Sequence, residues 1–98
     1  MRNFREYDIW IDSIQLVKEV YHVVNKFPAK EKFSLSSQII RSVVSIPSNI
    51  AEGASRKSEK DFARFLEISL GSVFESETQI RIAFELDYIT KDKINPMI

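Results

Sequence analysis

The sequence predicts an all-α protein, an antiparallel up-down four-helix bundle whose fourth helix is short, truncated or missing. Apolar residues recur every three or four positions in three long runs, the period of a helix, and not at every second position. The chain holds only two glycines and three prolines, too few turn residues for a many-stranded sheet. The gaps between the runs are short, which sets successive helices antiparallel. At 98 residues one core is expected, a single helical-bundle domain over 1–98.

The first helix is expected over about 6–26. Trp10, Ile14, Val17, Tyr21 and Val24 form its apolar stripe, widened by Leu16, Val20 and Val23, and Asp8, Asp12, Gln15, Glu19, His22 and Lys26 oppose them. Pro28 disfavours the α region at Phe27 and ends the run. The second helix is expected over about 34–53, with Ser34 or Ser36 as its cap. Leu35, Ile39, Val43, Ile46 and Ile50 make one stripe, and Ile40, Val44, Pro47, Ala51 and Ala54 another. Apolar surface on more than half the circumference demands two neighbours or an oligomer interface. The third helix is expected over about 58–87, capped by Ser58 with Glu59 and Asp61 in the first turn, where negative charge suits the helix dipole. Thr90 is placed to cap a fourth stub.

The stretch "SIPSNIAEGASRKS" holds a proline within the second helical pattern. An interior proline costs about 3 kcal/mol or more, because it cannot donate to the carbonyl four residues earlier. Ile46, Ile50 and Ala54 nevertheless continue the helical stripe, so a kinked helix running to about Gly53 is expected in place of a loop. Ser45, Ser48 and Asn49 are suited to bond backbone freed near Pro47, and Gly53 to stop the helix. The functional alternative has Ser45, Asn49 and Glu52 line a pore or a partner-binding groove.

Chemistry-bearing constellations are scarce. Fourteen basic residues balance fourteen acidic ones, so no global field draws the chain to nucleic acid or anionic lipid. The absence of cysteine removes thiolate catalysis and cysteine metal sites. His22, the one histidine, sits on the charged face between Glu19 and Lys26, away from any nucleophile. No HxxxH pairing offers metal ligands, and no glycine-rich phosphate loop is present. Glu67 and Glu75 face outward, and Glu77 is better suited to a structural pairing than to acid–base work. No enzyme, metal or cofactor is therefore expected. The N-terminus lacks the apolar core of a secretory signal and no run is long enough to span a bilayer, so no membrane contact and a cytoplasmic location are expected.

Two clusters remain. Arg56, Lys57, Lys60 and Arg64 group cations as phosphate binding requires, although Glu59, Asp61 and Glu67 interleave with them. Ser69, Gly71, Ser72 and Ser76 are small residues inside a helix. Glycine there costs about 1 kcal/mol relative to alanine, and close approach of a neighbouring helix is the expected compensation.

"NFREYDIW", "SIPSNIAEG", "RKSEKDFARFLEISLGSVFESETQI" and "DYI" together resemble the small four-helix bundle proteins encoded by intervening sequences of bacterial 23S ribosomal RNA genes. The resemblance implies an up-down bundle similar to subunits of homopentameric rings, hence a non-catalytic, self-associating scaffold whose partner is itself. One related branch, an accessory protein of diversity-generating retroelements, is a basic pentameric barrel that binds nucleic acid and a reverse transcriptase. That likeness makes RNA or single-stranded DNA the alternative partner. This chain differs from that branch in being electrically neutral.

Overall fold

A computed structural model describes residues 2–97. A 3₁₀ turn, Phe4–Glu6, leads into α1, Asp8–Val24. A second 3₁₀ turn, Ala29–Glu31, joins it to α2, Leu35–Ala54; α3, Glu59–Glu85, and a short α4, Lys91–Ile94, follow. The described residues contain helices and no strand, and three of the four α-helices are long. None of them is long and apolar enough to cross a membrane.

The helices alternate in direction. At one end Tyr7, before α1, meets Phe62 in the first turn of α3; at the other Phe27, after α1, packs on Tyr88, after α3. α1 and α3 both pack on α2 and scarcely on each other, so the three lie side by side as a layer 44 × 22 × 17 Å. The central place of α2 follows from its wide apolar circumference. Ile39, Val43, Ile46 and Ile50 are buried along it, joined by Val20 from α1 and by Ile80 and Ala83 from α3. Ile89 and Ile94 close the core at the α4 end. Each such aliphatic side chain contributes about 1.5–3 kcal/mol by leaving water.

α1 is turned relative to its expected stripe. Ser13 and Val20 are buried, whereas Ile14 and Tyr21 are exposed. The physical reason is that α1 has one helical neighbour, so only the α2-facing strip is covered and apolar residues at its margins stay wet. The Ser13 hydroxyl is satisfied within the helix, donating to the Trp10 carbonyl at 2.7 Å.

The termini follow local chemistry. α1 ends two residues earlier than expected; Lys26 and Phe27 then donate to the carbonyls three residues back, tightening the chain before Pro28. Ser34 occupies the N-cap of α2 without a side-chain cap bond. Ser58 does cap α3, its hydroxyl accepting from the Asp61 N–H at 3.0 Å. Beyond α3, Asp87 takes a left-handed conformation at φ 65°. The Asp87 N–H donates to Phe84 and the Tyr88 N–H to Ala83, both at 2.9 Å, the paired bonds of a Schellman stop.

Candidate functional site

α2 runs as an unbroken helix through Pro47, which is buried. The polar residues around it do not reach the one carbonyl that proline leaves without its helical donor, that of Val43. Ser45 bonds the Ser42 carbonyl at 2.7 Å, Ser48 the Val44 carbonyl and Asn49 the Ser45 carbonyl, each at 2.8 Å. They therefore tie the turns on either side of Val43 and leave that carbonyl alone. Glu52 is exposed and pairs with Arg56 one turn later at 3.1 Å.

Gly53 differs from its expected role. The helix continues past it to Ala54, and Gly53 does not adopt positive φ, so it is no left-handed stop. It is buried against α3 instead. A Cβ there would lie 2.7 Å from Phe65 Cβ and 3.1 Å from Phe62 Cδ1. Gly71, expected to let a helix approach, has nothing within 4 Å of where its Cβ would stand and is exposed. Close helix approach thus falls at Gly53 because the crossing of α2 and the start of α3 is where backbones converge.

The serines of α3 face α2 through a hydrogen-bonded ladder. Ser69 Oγ donates to the Ile46 carbonyl at 2.9 Å, Ser72 Oγ lies 2.5 Å from Ser45 Oγ, and Ser76 Oγ donates to Ser42 Oγ at 2.9 Å. Ser42 Oγ also bonds Gln79 Oε1 at 2.8 Å. No buried side-chain polar atom among the described residues lacks a partner. Satisfied in this way, the ladder fixes the register of the two helices.

The cationic candidates divide. The guanidinium groups of Arg56 and Arg64 each lie 4.8 Å from the centroid of the buried Phe65 ring. Lys57 and Lys60 are exposed, with no ion pair among the described residues. Arg2, which the sequence reading did not connect to this patch, joins it from the far end of the chain. Its guanidinium donates to the Ala54 carbonyl at 3.4 Å and to the Arg56 carbonyl, pairs with Glu59 at 2.6 Å and lies 4.5 Å over Phe62. Nothing local marks residue 2 as a partner of the α2–α3 turn; only the folded topology brings them together.

No group of three or more carboxylates and histidine gathers among the described residues, and His22 is exposed. Two groups titrate away from their ordinary values. The Tyr88 hydroxyl donates to Glu31 at 2.7 Å, and that bond raises its pKa. The Thr90 hydroxyl donates to Asp92 and lowers the pKa of that carboxyl. The first ties the end of α3 to the α1–α2 connection, and the second lies within the first turn of α4.

Comparison with known families finds that the model of the 23S rRNA-intervening sequence protein family matches residues 5–98. The chain belongs to this family. Comparison with the curated proteins finds no match. In this member of the 23S rRNA-intervening sequence proteins, the "SIPSNIAEG" segment forms the second half of the central helix and holds the tight glycine crossing. The "FLEISLGSVFESETQ" segment supplies the serine ladder.

Proposed function

We propose that this protein is a non-catalytic helical scaffold that self-associates as a homopentameric ring and serves as an adaptor in the cytoplasm. The observation that carries this reading is the single layer of helices. α1 and α3 stand apart over α2 and leave an apolar groove between them, with Ile9 and Leu70 exposed at its margins. Apolar surface of this kind, unless covered, is an aggregation liability, and a second copy of the chain is the partner always present. Five copies are supported by the resemblance to subunits of pentameric rings, and the small helical family fits a role without catalysis. Gel filtration with light scattering tests it at micromolar concentration, where a closed oligomer is expected.

A specific observation favours a second reading, binding of RNA or single-stranded DNA, with a reverse transcriptase as a further partner. Phe65 holds two guanidinium groups at one end of the layer, beside the unpaired Lys57 and Lys60. A ring would repeat the patch and multiply phosphate contacts, steepening the salt dependence. Mobility shifts at about 50 mM salt, with Lys57→Glu and Lys60→Glu as controls, test this reading. The absence of any shift removes it.

A further inference from the structure

Phe33, 88% exposed, is the most exposed large apolar side chain described. It lines a cleft of about 600 Å³ beside the α1–α2 connection. Tyr21 and Val24 of α1, Phe27 and Pro28 of the connection and Ile40 of α2 give this cleft its apolar lining. Every lining residue comes from α1, α2 or the segment between them, so residues 21–41 build the cleft by themselves. At 3.6 residues per turn Ile40, Ser37 and Arg41 stand roughly 120°, 180° and 220° around α2 from Ile46. The cleft thus opens on the side of α2 turned away from the groove between α1 and α3. Charge is lopsided there although the whole chain is neutral. Over residues 25–41, Lys26, Lys30, Lys32 and Arg41 stand against one carboxylate, Glu31, which the Tyr88 hydroxyl engages at 2.7 Å. Lys32 and Arg41 line the cleft, no carboxylate lines it, and neither cation has an ion pair among the described residues. The first turn of α2, which lends Ser36 and Ser37 to the lining, carries no acidic residue either.

We propose that this cleft docks an acidic peptide segment of a partner protein, anchored by one aliphatic or aromatic side chain. Resting on the adaptor role proposed above and not on the ring, it gives the adaptor a surface for its client. The anchor packs against Phe33, Tyr21 and Ile40 and buries apolar area that otherwise meets water. Carboxylates flanking the anchor meet Lys32 and Arg41. With no carboxylate in the lining to compete, the positive potential steers an acidic segment in and turns a basic one away. A strand of nucleic acid fits this surface less well. Stacked bases need a succession of open ring faces. Here the Lys32 ammonium already lies 5.4 Å from the centroid of the Phe33 ring, and Val24, Pro28 and Ile40 offer no aromatic face. Two lining cations are also a short row for a phosphate backbone, whose hold grows with each contact.

Selection of a random-peptide phage library on the immobilised protein tests this site. The enriched sequences are expected to carry aspartate or glutamate on both sides of a leucine, phenylalanine or tryptophan. A fluorescein-labelled synthetic copy then reports affinity by anisotropy. Phe33→Asp is expected to weaken it about 30-fold or more, as loss of a central anchor does. Arg41→Glu should weaken it at low salt, by a factor that shrinks as salt is raised. Both positions are exposed, and circular dichroism checks the fold of each variant. Enriched peptides without acidic residues, acidic ones that bind Phe33→Asp as well as the parent, or no enrichment at all overturn the site. A labelled oligothymidylate that binds the parent in their place and is lost with Phe33→Asp makes the occupant nucleic acid and overturns the peptide. A parent oligomer that Phe33→Asp dissociates makes the occupant a second copy and overturns it equally. Light scattering keeps the ring separate. A monomer that binds the acidic peptide refutes the ring and upholds the cleft, whereas a ring that binds no such peptide refutes the cleft alone.

Discussion

The two glycines make opposite predictions from the same substitution. Replacing glycine by alanine inside a helix gains about 1 kcal/mol from reduced backbone entropy in the unfolded chain. At Gly71 the new Cβ meets nothing within 4 Å, so the whole gain is expected to appear as stability. At Gly53 the Cβ would stand 2.7 Å from Phe65 Cβ, an atom fixed to the α3 backbone that cannot rotate aside, and 3.3 Å from the Phe62 carbonyl oxygen. Relief requires α2 and α3 to move apart, and overpacking of this kind costs about 1–3 kcal/mol. Gly53→Ala is therefore expected to lose up to about 2 kcal/mol net while Gly71→Ala gains about 1 kcal/mol. In a chain of this size 1 kcal/mol moves the melting midpoint by about 4–8 °C. Thermal melts followed by circular dichroism at one fixed protein concentration separate the two variants. A Gly53→Ala protein that melts as high as Gly71→Ala would refute the close crossing of α2 on α3.

Other substitutions test the helix ends and ties. Asp87→Gly is expected to stabilise by about 0.5–1 kcal/mol, since glycine adopts the left-handed stop at φ 65° without a Cβ clash; urea denaturation measures it. Ser58→Ala should cost about 1 kcal/mol in the same assay by stripping the cap from the Asp61 N–H. The Tyr88 tie predicts a pH effect. Its folded pKa lies above the ordinary 10, so its contribution is whole below pH 10 and is lost as the pH rises through the folded value. Tyr88→Phe should lack that alkaline component of the stability profile, measured by melts from pH 8 upward.

Much of this fold was legible in the sequence, because periodicity and capping act locally. The stripes of α2 announced a helix buried on both flanks, Pro47 did not break it, and Ser58 with Asp61 marked the start of α3. What escaped depends on helix-to-helix distance, which no spacing encodes. Gly71 and Gly53 look alike in sequence, yet only one lies where two backbones converge. The rotation of α1 was missed for a similar reason. Its apolar residues fit a wider stripe than one neighbour can cover, so Ile14 and Tyr21 fall outside the contact. The cationic patch was half visible: Arg56 and Arg64 lie close in the chain, whereas Arg2 arrives from 54 residues away.

The mass of the particle in solution bears most directly on a self-associating scaffold. Light scattering coupled to gel filtration should report five times 11.4 kDa, about 57 kDa, held constant on dilution through the micromolar range. A species at 11.4 kDa under those conditions would contradict it.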